Sequence, residues 1–109
     1  MRIHFDNVNF SSRSGPNTFA CRLAHQFALA GHTLADANDY DVMLSFIEQT
    51  KSVLPGKKLV QRLDGIWFKP EEFLSKNSSI KACYERADAV IWQSHFDRGM
   101  TTHWWGRPH

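Results

Sequence analysis

The chain has little cysteine, only Cys21 and Cys83 among 109 residues. Two thiols cannot staple a small secreted fold. Both lie in helix-like stretches with apolar neighbours, which predicts reduced, buried thiols in a cytoplasmic protein. Long apolar runs are also lacking: stretches such as Ala89-Val90-Ile91-Trp92 are the limit, whereas a membrane helix needs about 20 residues. The opening Met1-Arg2-Ile3-His4-Phe5-Asp6 meets a carboxylate too early for a secretory leader. Charge of one sign is scarce, with 13 basic side chains against 11 acidic and a net charge of +2. That balance does not advertise a nucleic-acid partner. Six glycines and four prolines without a period exclude collagen-like and low-complexity chains. The histidines His4, His25, His32, His95, His103 and His109 show no His-x-His, His-Glu-x-x-His or Cys-x-x-Cys spacing. No metal and no resident cofactor are expected.

What the chain does have is aromatic: eight phenylalanines, four tryptophans and two tyrosines. With 42% apolar and 22% charged residues it has the composition of one globular domain spanning 1–109. Arg2 to Asp6 reads as a strand, with Ile3 and Phe5 on one face and His4 and Asp6 on the other. Asn7 to Gly15 is a polar loop. Pro16 suits the first turn of a helix that runs to about Ala30, where Gly31 ends it. Phe19, Leu23 and Phe27 form its large stripe and Ala20, Ala24 and Ala28 a small one beside it. Thr33 to Ala35 is a short second strand, vestigial or absent. Only 36–40 separate it from the next, too few for an ordinary parallel crossover. Val42 to Phe46 and Lys58 to Arg62 are further strands, with a Pro55-Gly56 turn between them. Pro70-Glu71-Glu72 opens a short helix, and Asn77 or Ser78 caps the next, whose buried stripe is Ile80, Cys83, Tyr84 and Ala87. Ala89 to Trp92 is a strand. Ser94, with Asp97 three residues on, caps a last helix whose apolar stripe begins with Phe96 and Met100. Alternating strands and helices predict an α/β fold, a parallel sheet with helices on both faces.

In such sheets ligands bind beyond the carboxyl ends of the strands. Three stretches fall there. The Asn7–Gly15 loop leads into a helix N-terminus suited to an anion or a sugar hydroxyl. It has neither the glycines of GxGxxG nor a Gly-Lys-Ser/Thr, and by pattern alone it reads as a plain connection. Gln61-Arg62-Leu63-Asp64-Gly65-Ile66-Trp67 combines arginine, carboxylate and aromatic side chains that would hold a sugar. The bland alternative is a surface pair of Arg62 with Asp64 and a turn at Gly65. In Gln93-Ser94-His95 the structural role of Ser94 as a cap outweighs a binding role. A triad of Ser94, His95 and Asp64 lacks the Gly-x-Ser-x-Gly elbow. A receiver-type phosphorylation domain would need an acidic pair after the first strand and an Asp after the third. Here there are only Asp6 and Ser45-Phe46-Ile47-Glu48.

An ordered series of segments resembles a known family. Gly15-Pro16-Asn17-Thr18-Phe19, Leu23-Ala24 and Ala30-Gly31-His32 come first. Then follow Asp41-Val42-Met43-Leu44-Ser45-Phe46, Gln61-Arg62-Leu63-Asp64-Gly65, the Ala87–Phe96 stretch and Trp104-Trp105-Gly106-Arg107-Pro108. Together they look like the N-terminal domain of GT-B glycosyltransferases of the group 1, GT4-like type. The resemblance implies an incomplete Rossmann-like acceptor-side domain. In the complete enzyme a sugar would pass from a nucleotide-sugar donor to a hydroxyl acceptor without a metal. It further implies that Ser14, Gly15 and Asn17 approach donor phosphates or acceptor, and that Arg62, Asp64, Gly65 and Ser94 line the substrate side. Asp64 would be the base or hydroxyl orienter. The donor-binding C-terminal domain, or a separate donor-binding subunit, is expected outside this chain, which alone should be inactive. Trp104 and Trp105 are expected to form an exposed apolar patch. A peripheral membrane contact there is the weaker reading, because no basic amphipathic helix accompanies it. The runner-up function is a non-catalytic α/β module binding a sugar or nucleotide.

Overall fold

The computed structural model describes residues 1–11, 15–63 and 70–106. Its elements are β1 (Arg2–Asp6), α1 (Gly15–Leu29), β2 (Thr33–Leu34), β3 (Val42–Phe46), β4 (Lys58–Leu63), α2 (Pro70–Arg86), β5 (Ala89–Trp92) and α3 (His95–Trp105). The five strands form one parallel sheet in the order β2-β1-β3-β4-β5. The expected α/β class is therefore what the chain adopts, with the strand order of one common doubly wound arrangement.

The period-two pattern of the strands sorts their side chains onto two cores. Ile3, Phe5, Leu44 and Phe46 pack with Ala20 of α1, flanked by Leu23, Ala24 and Phe27. On the opposite face Met43 and Leu59 meet Tyr40, Cys83 and Ala87. Beside them Leu63 meets Ile80 and Tyr84 of α2, with Trp105 of α3 against that cluster. Helices thus cover both faces. The small stripe of α1 is shorter than expected, for Ala28 is exposed. The C-terminal end of α1 is a Schellman cap. Gly31 sits at φ 88°, and the amides of Gly31 and His32 bond the carbonyls of Ala28 and Phe27.

Three expectations need correction, while that of a vestigial second strand holds: β2 has two residues and pairs with β1. It ends at the level of Ile3, and Val42 of β3 pairs at that same level on the other side of β1. Residues 35–41 therefore step sideways across one strand, roughly 10 Å, and never retrace a strand's length. At up to about 3.3 Å per residue they need no helix to do so. Pro70–Arg86 is one helix, not two. Asn77 is not at a helix start; it lies inside α2 and is buried. In α3 the inward positions are Asp97 and Thr101, and Phe96 is 71% exposed. Of the tryptophan pair only Trp104 is strongly exposed, while Trp105 packs 5.4 Å from the Tyr84 ring.

Candidate functional site

β1 and β3 lie side by side, and the chain leaves them toward opposite edges of the sheet. Their carboxyl ends mark the switch point where open α/β sheets form a crevice. Asp6, the last residue of β1, is fully buried there. Its carboxylate accepts from Ser45 Oγ at 2.8 Å, from the Thr50 amide at 2.8 Å and from the Thr50 hydroxyl. Lys51 Nζ stands 4.0 Å from Asp6 Oδ1 and 2.8 Å from His4 Nε2. The other ring nitrogen of His4 bonds the Ala35 carbonyl at 3.0 Å. A carbonyl can only accept, so Nδ1 donates to it and Nε2 accepts a hydrogen bond from the lysine ammonium. The His4 ring stacks on Tyr40, whose hydroxyl accepts from the Leu54 amide at 2.8 Å. The loop 47–57 is thus tied to β1 through Asp6, and through His4 and Tyr40.

The backbone at this crevice is strained on both sides. Asn7 has φ 65° and Ile47 has φ 75°. Asparagine tolerates the left-handed region, but a β-branched isoleucine does not adopt it without support. Gln61, fully buried on β4, supplies that support. Its Nε2 donates to the Ile47 carbonyl at 2.7 Å and to the Ile80 carbonyl of α2 at 3.1 Å. The Ile47 amide donates to the Arg62 carbonyl at 2.8 Å. Across the crevice Asn7 Nδ2 donates to the Phe46 carbonyl at 2.7 Å. The result is a cleft of about 390 Å³ lined by Phe5, Asn7, Val8, Asn9, Asn17, Thr50 and Lys51. That is the small end of the range for small-molecule sites.

Of the residues expected to bind substrate, Asn17 is in this cleft. It stands on the first turns of α1, where its Oδ1 accepts from the Asn9 amide at 3.0 Å. Gly15 opens the same helix. Arg62 is elsewhere: it is 5% exposed, with its guanidinium 3.9 Å from the centre of the Phe19 ring, on the α1 face of β4. Ser94 lies beyond β4, at the end of β5. It caps α3 by accepting from the Asp97 amide at 3.1 Å and borders a separate hollow with Trp92, Gln93, His95 and Arg98. Ser14, Asp64 and Gly65 lie outside the described residues. The sequence reading placed Asn7 and Asn9 in a candidate loop that it took for a plain connection, and it missed His4, Thr50 and Lys51 beside them. A signal existed for Asp6, a carboxylate closing the first strand, but nothing in the sequence aligned Thr50 and Lys51 with it. Among the described residues no group of three His, Cys, Asp or Glu side chains could hold a metal ion. No helix among them is long and apolar enough to cross a membrane. Comparison with protein-family models, curated proteins and solved structures gave no match.

Proposed function

We propose that the chain is the acceptor-side part of a glycosyltransferase, and that its switch-point cleft receives a hydroxyl-bearing substrate. The observation that carries this is the lining of the cleft: three asparagines, a threonine and a lysine beside the apolar Phe5 and Val8. Amide and hydroxyl groups bond sugar hydroxyls, and a small apolar surface takes the carbon face of the ring. The parallel sheet in the order β2-β1-β3-β4-β5 is consistent with this reading, and so are the segments that resemble the family. In it Asp64, which follows β4 in sequence, orients or deprotonates the acceptor hydroxyl. A donor-binding domain or subunit supplies the nucleotide-sugar.

The test is sugar transfer by the protein at its natural length. Labelled nucleotide-sugars are offered with a panel of hydroxyl acceptors, and Asp64→Asn is compared with wild type. Loss of turnover by about 10²-fold or more in Asp64→Asn, the effect of removing a general base, supports the assignment. Undiminished turnover in that variant overturns it.

A second reading, a sugar-binding module without catalysis, is favoured by one observation. Asp6, the carboxylate beneath the cleft, is fully buried and taken up by Ser45 and Thr50, so it anchors a loop rather than serving as a base. Glycoside binding with no transfer from any donor would select this reading.

A further inference from the structure

The first loop of a parallel α/β sheet is commonly where phosphate groups bind, because backbone amides and a helix N-terminus face the ligand. Among the described residues, three amides beside this cleft are already spent. The Thr50 amide donates to Asp6, the Asn9 amide to Asn17 Oδ1, and the Ser11 amide to Asn9 Oδ1. Lys51 is the charged residue among the described lining, and it stands 4.0 Å from the buried Asp6 carboxylate and 2.8 Å from His4 Nε2. Its charge is cancelled locally. A phosphate entering here would meet a buried carboxylate behind the Lys51 ammonium.

The groups left facing the cleft are mixed. Asn7 has given its Nδ2 to the Phe46 carbonyl, which leaves its Oδ1 as an acceptor. Asn9 has used its Oδ1, which leaves its Nδ2 as a donor. Orthophosphate near neutral pH presents mostly acceptor oxygens with one or two P–O–H donors, whereas every sugar hydroxyl both donates and accepts. A donor and an acceptor on one wall therefore match hydroxyls.

Resting on the cleft reading above, we propose that the pairing of Lys51 with Asp6, and the internal use of the Asn9, Ser11 and Thr50 amides, make this cleft a site for an uncharged sugar ring that discriminates against phosphate. The Asp6 carboxylate is then a specificity-determining group. It holds the loop in place and also supplies the negative charge that cancels Lys51.

The experiment is an amide-resolved NMR titration of the chain. The neutral probes are methyl α-glucoside, methyl α-mannoside, methyl α-galactoside and N-acetylglucosamine. The anionic probes are inorganic phosphate and pyrophosphate at matched ionic strength. Wild type is expected to show saturable shifts at Asn7, Asn9 and Thr50 with at least one sugar, about tenfold tighter than with either anion. Asp6→Asn removes the charge while keeping an acceptor for Ser45 and Thr50. Its phosphate affinity relative to its own sugar affinity is expected to rise by about tenfold, one pair of opposite charges having been undone. Phosphate binding to wild type as tightly as any sugar overturns this proposal and leaves the cleft reading intact. No binding by any probe overturns both. Salt dependence of wild type decides the question even where Asp6→Asn fails to fold. The sugar Kd should change by less than about twofold between roughly 50 and 500 mM salt, and a fivefold weakening would count against a neutral ligand.

Discussion

At the scale of single residues, Asp6 and Cys83 behave in opposite ways although both are buried. Asp6 gathers donors, and its removal leaves the Ser45 hydroxyl and the Thr50 amide without their acceptor. Hydrogen bonds to a charged group are worth about 1.5–3 kcal/mol, so Asp6→Ala should lower stability by at least that much in urea unfolding. Asp6→Asn, which keeps an acceptor, should cost less. Cys83 is instead held in its neutral form. Burial, aided by the nearby Asp6 charge, raises its thiol from an ordinary 9.0 to about 11. The unfolded thiol ionises first on the way up. The contribution of Cys83 to stability is therefore complete below pH 9 and declines as the pH rises from there through about 11. Thiol labelling at pH 8 gives the companion measurement: Cys21, which is exposed, should react in the native protein, and Cys83 only after unfolding. Equal labelling rates in the native state would refute the burial of Cys83. The expectation of a buried thiol was legible from the i, i+3, i+4, i+7 stripe of Ile80, Cys83, Tyr84 and Ala87. Burial of Cys21 was not borne out, because it lies on the side of α1 turned away from the sheet.

At the scale of elements, the long periodic segments were readable and the short-range exceptions were not. The boundaries of β1, β3 and β5 agree with the pattern of alternating or continuous apolar residues. The Ser94 cap is also as read, and Ser94→Ala should lower stability by about 1 kcal/mol, the usual cost of losing an N-cap oxygen. Phe96 misled because residues after a cap are read as apolar stripe when they are large. In α3 the sheet-facing positions are held by polar Asp97 and Thr101, which bond one another along the helix. Nor could periodicity reveal Gln61, a polar residue in the middle of a strand. Its value lies in joining the loop after β3 to α2 through two carbonyls. Gln61→Met keeps the length and volume but removes both donors. It should destabilise the protein by about 1–3 kcal/mol, the cost of leaving buried acceptors unpaired. Hydrogen exchange at 47–51 should accelerate more than in β1. Unchanged exchange in that loop would mean that the positive φ of Ile47 is supported by something other than Gln61.

At the scale of the whole molecule, the sequence supplies strands but not their neighbours. Strand order depends on where each strand's end lies relative to the others, and the two-residue β2 is the case in point. The five-residue link after it pointed to a strand either vestigial or absent. The register shows that brevity is what lets the chain pass from Leu34 to Val42 across one edge of β1. The same reasoning explains why the cleft could not be read in advance. Asp6 meets Thr50 and Lys51 only because β1 and β3 are adjacent and in register, with Asp6 opposite Ser45. The architecture also sets how stability is distributed. β1, β3 and β4 have strands on both sides, and both faces of β3 are covered by packed side chains. β2 is short and exposed, and β5 pairs with β4 alone among the described strands. Opening an edge breaks one ladder, whereas opening the centre breaks two ladders and both cores. Native-state hydrogen exchange should therefore find the slowest amides in Met43–Phe46 and Leu59–Leu63, near the free energy of global unfolding. The Thr33 and Ala35 amides, bonded to Met1 and Ile3, should exchange at least about tenfold faster through local opening. If β2 proved as protected as β3, the edge would have to open only together with the whole sheet. The passage through 35–41 would then be as cooperative as the core itself.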